Sequence, residues 1–221
     1  MQSKKWWLIK FTNLLTTGLI LFSASGTLKF PMAWLYMTFM ITYIIMSRRF
    51  THPELHILQS MRVDGTKKWD LVTAPLVTIL GPLAMLLTAG LDKRFEWSHI
   101  PFLIQITACL FLLIGSGIAL WAKKANKFYS DTVRIQYERY HVVITDGPYR
   151  YVRHPGYVGY MILSISAPLM LGSLPAMFPS TFIVLGYLAR TILEDVTLQR
   201  QFKGYYNYTK KVPYRLIPGI W

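Results

Sequence analysis

His154 and the pair Glu194-Asp195 are the residues of this chain best suited to chemistry. From Gly147 to Gly159 the sequence reads GPYRYVRHPGYVG, and beyond an apolar stretch it reads Glu194-Asp195-Val196-Thr197-Leu198. Pro155 biases His154 away from helical angles and itself suits the first helical position, so a helix is expected to start at Pro155 or Gly156 with His154 as its N-cap. The free amides and the dipole of such a start favour an anionic group, and the imidazole adds a donor or acceptor. Gly147-Pro148-Tyr149 is a turn signal that re-aims the chain into that helix. Carboxylates at the end of an apolar helix are expensive unless a cation meets them. Arg190, four residues before Glu194, could pair with it along the helix; otherwise a ligand's ammonium or ribose hydroxyls would serve. Side by side, the two segments would suit a small zwitterionic cofactor.

The elements that must position these residues lie in a membrane. The chain is 53% hydrophobic and 15% charged, a balance that departs from soluble domains. Apolar runs near 8–24, 30–46, 71–90, 100–122, 157–172 and 175–193 are the candidate spans, a hydrocarbon core of about 30 Å needing about 20 helical residues. The fold expected is an all-α integral membrane protein of about six transmembrane helices. The last two, joined through Gly172-Ser173-Leu174, form a tight hairpin that could cross incompletely. Lys4 and Lys5 before the first run and Ser23-Ala24-Ser25 after it resemble a signal peptide, but the run is long and further spans follow, so it reads as an uncleaved first helix.

Charge orients the spans, because Lys and Arg near span ends are retained in the cytoplasm. Six spans with both termini cytoplasmic place 21 of the 24 basic residues on that side and Lys29, Lys93 and Arg94 on the other. The net charge of +14 thus reads as topology and attraction to anionic lipid rather than as a nucleic-acid site.

One domain is expected over 1–221, with a four-helix part at 1–122 and a cofactor-binding part at 123–221. His52 and His56 share helical spacing but lack an evident third ligand, so no metal site is assigned. Cys109 sits mid-span, where packing explains it. Val133, Ile135 and Tyr137 alternate with polar residues, as in a short extended segment at the interface. Gly115-Ser116-Gly117 falls inside a span and reads as close helix packing. Trp6, Trp7, Trp69 and Trp97 fit an aromatic belt. After Glu194, the positions of Leu198, Phe202, Tyr205 and Tyr206 among basic residues suggest an amphipathic cytoplasmic helix ended by Pro213. The apolar tail beyond it reads as a lid over the cytoplasmic face.

These residues, with Phe202, Gly204, Tyr205, Tyr208 and Lys211-Val212-Pro213, resemble the isoprenylcysteine carboxyl methyltransferase family over roughly 126–221. The His-Pro and acidic-pair signature is shared with phospholipid N-methyltransferases and with the C-terminal part of membrane sterol reductases. The resemblance implies a membrane methyltransferase that binds S-adenosylmethionine in a cytoplasmic pocket and takes a lipophilic or prenylated substrate from the membrane lipid. Carried over, the cofactor site comprises Tyr149, Arg153, His154, Pro155, Tyr157, Gly159, Glu194, Asp195 and Tyr208. Asp195 stands where the family usually has a second glutamate. Lys211 stands where an arginine often precedes Val-Pro, and Lys211 or Arg215 would hold the acceptor.

The three charges of S-adenosylmethionine find complements in the amides after Pro155, in Glu194 or Asp195, and in the rings of Tyr149 or Tyr157. Methyl transfer from a sulfonium is a displacement governed by alignment and exclusion of water, without a metal. No dedicated base is evident, which favours an acceptor already ionised at neutral pH, a carboxylate. A membrane reductase using a nicotinamide cofactor and a non-catalytic lipid-binding protein are the alternatives.

Overall fold

A computed structural model describes residues 2–50 and 65–221, without the side chains of residues 2–5; the His52 and His56 pair lies outside the described residues. The regular elements among the described residues are all helices, with no strand. Helix α1 spans Gln2–Ser25 and α2 spans Pro31–Phe50. Asp70–Pro75, a π turn at Leu76–Leu80 and Gly81–Phe95 run on as one helix, α3. Pro82 has no amide to return to the preceding turn, and the Gly81 amide reaches Leu76 O instead, so the helix absorbs the proline by widening one turn. Helix α4 spans Phe102–Ala125, α5 Pro155–Met170, α6 Met177–Gln201 and α7 Tyr205–Lys211.

Three of these helices are long and apolar enough to cross a bilayer: Trp6–Ser25, Asp70–Phe95 and Phe102–Ala125. Their outward sides keep large apolar residues exposed, among them Phe11, Leu15 and Leu19 on α1 and Leu103, Leu110 and Leu113 on α4, as a lipid-facing belt requires. Inside, Leu21, Ala33, Met85, Ala89, Leu112, Ala167 and Met170 form one core. Helix α5, at 16 residues, rises about 24 Å, less than a hydrocarbon core.

The packing sorts the charges between two ends of the bundle. At one end the start of α1 meets the end of α2, with the Arg48 guanidinium 5.2 Å from the Trp6 ring centroid. Lys123 at the end of α4 donates to Ser47 on α2 over 3.2 Å, and Lys67 donates to Gln201 on α6 over 2.6 Å. At the other end Lys93 sits 6.0 Å from the Phe30 ring centroid, and the Leu174 amide donates to Ser98 Oγ over 3.0 Å. The separation of Lys93 and Arg94 from the other basic clusters, expected from charge, is therefore present in the packing.

Two expectations change. Helix α6 does not end at the acidic pair but continues to Gln201, and the amphipathic helix expected after Glu194 is split. Gly204, at φ 85°, breaks the chain and starts α7 in a new direction. The short extended segment expected from the alternation at Val133, Ile135 and Tyr137 stops at a 3-10 turn over Tyr137–Arg139, and the rest of 126–146 is irregular apart from turns.

Candidate functional site

Helices α4 and α5 fix the frame of the site. Gly159 packs so closely on α4 that a Cβ there would stand 2.6 Å from Gly115 O and 2.8 Å from the Ala119 amide nitrogen. Only glycine permits that approach, so Gly159 acts through helix packing and does not line the cleft described below. Gly115 reciprocates, whereas Gly117 faces open space.

Helix α5 begins at Pro155, with His154 as N-cap in a non-helical conformation (φ −124°, ψ 56°). The His154 imidazole does not cap the helix. It stacks on Tyr157, with centroids 5.7 Å apart and planes within 4°, and its Nε2 lies 3.5 Å from Asp195 Oδ1. Because Pro155 has no amide, and the Tyr157 and Val158 amides return to His154 O, Gly156 supplies the free donor of this helix start. Gly156 also tolerates no side chain, since a Cβ would lie 2.8 Å from Tyr129 Oη.

The two acidic neighbours turn to different tasks. Asp195 is fully buried. Its carboxylate receives Arg153 through Nε at 2.8 Å and Nη2 at 2.9 Å, Arg215 Nε at 2.9 Å, Gln199 Nε2 at 2.8 Å and the Tyr205 hydroxyl at 3.0 Å. Burial alone would raise its pKa, but the hydrogen bonds from His154, Arg153 and Arg215 hold it well below the usual carboxylate range. Arg153 also donates to Val212 O and Pro213 O, while the Arg153 and His154 amides donate to Tyr214 O and Arg215 O. The tail is thus fastened beside the start of α5 and braces it; no tail residue lines the cleft.

Glu194 instead lines a cleft at the basic end of the bundle, together with Tyr149, Arg153, His154, Gly156, Tyr157, Tyr205 and Tyr208. It accepts a hydrogen bond from the Tyr157 hydroxyl. Arg190 does not pair with it directly. Its Nη1 forms an ion pair with Asp70 Oδ1 at 3.0 Å, Nη2 donates to Asp131 O at 3.1 Å, and Nε reaches the Tyr157 hydroxyl at 3.4 Å. Asp70 also accepts the Val133 amide at 2.6 Å, tying the loop that forms the far wall to α3. Burial, with the charges of Asp195 and Glu194, keeps the Tyr205 phenol protonated well above its ordinary range.

That far wall was not legible as a site in the sequence. His141 lies between Phe128 and Phe202, at centroid distances of 4.3 Å and 4.5 Å, and the Gln136 backbone amide donates to His141 Nδ1 at 3.3 Å. Burial, then the charges of Arg139 and Arg134, pushes the His141 pKa down to about 4, so the ring is neutral at physiological pH. Arg134, buried and lining the cleft, binds Glu138 through Nη1 at 2.6 Å while its Nε has no hydrogen-bond partner. A partial signal existed in the aromatic residues Phe128, Tyr129 and Phe202, but spacing does not say that loop and helix close on each other.

Of the residues expected to bind cofactor, the structure brings Tyr149, Arg153, His154, Tyr157, Glu194 and Tyr208 to one cleft. Pro155, Gly159 and Asp195 stand behind it. Lys211, expected to hold an acceptor, is exposed on α7 outside the cleft, and Arg215, expected in the same role, is engaged by Asp195 and the Trp221 ring. No group of three potential metal ligands occurs among the described residues.

The model of the isoprenylcysteine carboxyl methyltransferase (ICMT) family matches residues 105–200. Protein-S-isoprenylcysteine O-methyltransferase A of Arabidopsis thaliana is 30% identical over 180 residues, covering 78% of this chain and 90% of the relative. That match reaches into the first hundred residues, further than the motifs indicated. Protein-S-isoprenylcysteine O-methyltransferase of Schizosaccharomyces pombe is 29% identical over 151 residues, 62% of this chain and 64% of the relative. The probable enzyme of that name from Oryza sativa subsp. indica is 30% identical over 112 residues, 49% and 59% respectively; the chain spans less than two thirds of these two relatives. With the Arabidopsis relative matched over nearly its whole length, and with His154, Tyr157 and Glu194 converging as the motifs required, the chain belongs to the isoprenylcysteine carboxyl methyltransferase family.

Proposed function

We propose that the protein is a membrane methyltransferase that moves a methyl group from S-adenosylmethionine to a lipophilic carboxylic acid of the isoprenylcysteine type. The observation that carries this reading is the cleft itself, lined at the basic end of the bundle by Glu194, Arg134 and five tyrosines, with the Arg134 Nε buried and without a hydrogen-bond partner. A buried guanidinium nitrogen without a partner is expensive, and an anionic group satisfies it. The names of the relatives, which are isoprenylcysteine O-methyltransferases, agree with a carboxylate acceptor.

The residues present fit the donor. Glu194 would take its ammonium or ribose hydroxyls, Arg134 and the Gly156 amide its carboxylate, and the faces of the surrounding tyrosines its cationic sulfur. Bound there, S-adenosylmethionine supplies a methyl group activated by that sulfonium. The acceptor carboxylate, with a reference pKa near about 4, is ionised at neutral pH and needs no base. The protein's work is then alignment and exclusion of water. The aromatic wall of Phe128, His141 and Phe202 serves the second task, and the brace of Asp195, Arg153 and Arg215 holds the start of α5 in register for the first. In the same reading the chain makes six spans, the short α5 packing with α6 as a hairpin. Both termini and the cleft face the cytoplasm, because 21 of the 24 basic residues belong to that side.

The test uses purified full-length protein in detergent. S-adenosylmethionine and its demethylated product should each raise the thermal midpoint, and membranes given methyl-labelled donor should yield a labelled lipid whose label is released by mild alkali, as from a methyl ester. Stabilisation by a reduced nicotinamide dinucleotide but by neither donor form would overturn the proposal.

A further inference from the structure

One phenol of the cleft carries a proton that no protein group accepts. Tyr149 is buried and lines the cleft. Its hydroxyl has a single hydrogen-bond partner among the described residues, Asn126 Nδ2 at 3.3 Å. Which end of that amide faces the phenol is fixed by its other end, because Asn126 Oδ1 accepts the Phe128 backbone amide at 2.8 Å in the turn that follows α4. Nδ2 can only donate, so the Tyr149 oxygen accepts and its own hydrogen is left over. Glu194 acts on the phenol by charge without taking that hydrogen. The backbone under the ring is held as well, since the Tyr208 hydroxyl donates to Tyr149 O at 2.7 Å. A buried O–H without an acceptor costs stability, and beside a cleft an acceptor atom of a ligand satisfies it.

We infer that the Tyr149 hydroxyl, set as a donor by Asn126, holds the carboxylate of the lipophilic acceptor inside the cleft. The inference rests on the methyltransferase reading and supplies the group that reading lacks, since Lys211 and Arg215 stand outside the cleft while Glu194, Arg134 and the Gly156 amide serve the methyl donor. Position supports it on two counts. Tyr149 lines the same cleft as those three residues, so an acid held by it shares one space with the donor. The turn that carries Tyr149 also leans on the end of α4: a Cβ on Gly147 would stand 3.2 Å from Trp121 Nε1, and the ring centroids of Tyr151 and Trp121 are 6.4 Å apart. Both of these rings are exposed, and α4 is long and apolar enough to cross the bilayer. An apolar tail lying in lipid along that flank brings its acid end to the Tyr149 side of the cleft.

The chemistry is balanced without a proton transfer. One carboxylate oxygen accepts the Tyr149 hydrogen bond, which leaves the other to bond to the methyl carbon as the methyl–sulfur bond breaks, and the electron pair of that bond goes to sulfur. The anion and the sulfonium become a neutral ester and a neutral thioether. Tyr149 keeps its proton throughout: burial, and after it the charge of Glu194, pushes the phenol above its ordinary range against the hydrogen bond from Asn126. Donation from Asn126 into the phenol oxygen polarises the O–H and strengthens it as a donor. Because negative charge leaves the acceptor toward the transition state, this bond stabilises the bound acid more than the transition state or the ester. Its loss should raise KM for the acid while kcat changes little.

The experiment measures methyl transfer to an N-acetyl-S-prenylcysteine by the full chain, with inhibition by the corresponding methyl ester and affinity for S-adenosylhomocysteine recorded on the same samples. Tyr149→Phe removes the hydroxyl and keeps the ring; it should raise KM for the acid by roughly tenfold, narrow the preference for acid over ester and leave S-adenosylhomocysteine binding unchanged. Asn126→Asp keeps an oxygen for the Phe128 amide and offers a second to the phenol, which turns the proton away from the cleft. It should raise KM by a similar factor although the phenol is still present, an outcome that a merely structural tyrosine does not produce. The double variant should be no worse than the poorer single one; effects that multiply would overturn the role of Asn126 as the group that aims the phenol. An unchanged KM in Tyr149→Phe, or a loss of S-adenosylhomocysteine affinity as large as that for the acid, overturns the inference with the methyltransferase reading intact. A wild-type protein that neither binds S-adenosylhomocysteine nor transfers methyl overturns that reading and the inference with it.

Discussion

The cleft and the brace behind it are built from adjoining residues of one helix and obey opposite rules. In the brace every oxygen of Asp195 is occupied by protein donors, and nothing is left for a ligand. In the cleft Glu194 has a phenol for company and open space before it, while Arg134 Nε has no partner. Neighbouring positions on a helix point about 100° apart, so an acidic pair can assign one carboxylate to structure and the other to recognition. A residue's chemical type does not reveal which duty it has; the completeness of its hydrogen bonding does.

The contrast predicts that the two carboxylates fail differently when altered. Asp195→Asn leaves the buried Arg153 and the partly exposed Arg215 against a neutral amide and should destabilise the fold by about 3–5 kcal/mol, seen as a large fall in thermal midpoint with or without donor. Equal midpoints for Asp195→Asn and wild type would remove the distinction. Glu194→Gln should fold normally and bind S-adenosylhomocysteine roughly ten- to hundredfold more weakly, measured by calorimetry; a stability loss matching that of Asp195→Asn would make Glu194 structural too.

A smaller effect sharpens the picture of the far wall. His141 titrates at 6.5 when unperturbed and at about 4 in the fold, so on acidification the unfolded chain takes up its proton first. Its contribution is fully present above about 6.5 and is lost as pH falls toward about 4. Thermal midpoints across that window should decline less for His141→Phe than for wild type, and parallel declines would show that the wall does not depend on a neutral ring.

The sequence made the helix start at Pro155, the sorting of basic residues and the meeting of His154 with Glu194 legible, because each follows from a local rule: proline geometry, charge retention and helix-end electrostatics. It could not separate Glu194 from Asp195, since both satisfy the same rule and their partners, Tyr157, Tyr205 and Arg215, come from three different elements. Arg190 shows the same limit. Its spacing from Glu194 suits a pair, yet Asp70, distant in sequence, takes its charge. The aromatic sandwich of His141 was hidden because it joins a coil to the end of α6. Lys211 looked able to hold a substrate because its type was right, and its exposed place on α7 depends on the break at Gly204.

The grip of Arg153 on the carbonyls of Val212 and Pro213, with Arg215 returning to Asp195, also makes the tail a latch. Cleavage of the backbone just after α7 would strip Asp195 of Arg215 and Arg153 of two carbonyls at once, so a single nick there should lower the thermal midpoint while the helical content persists.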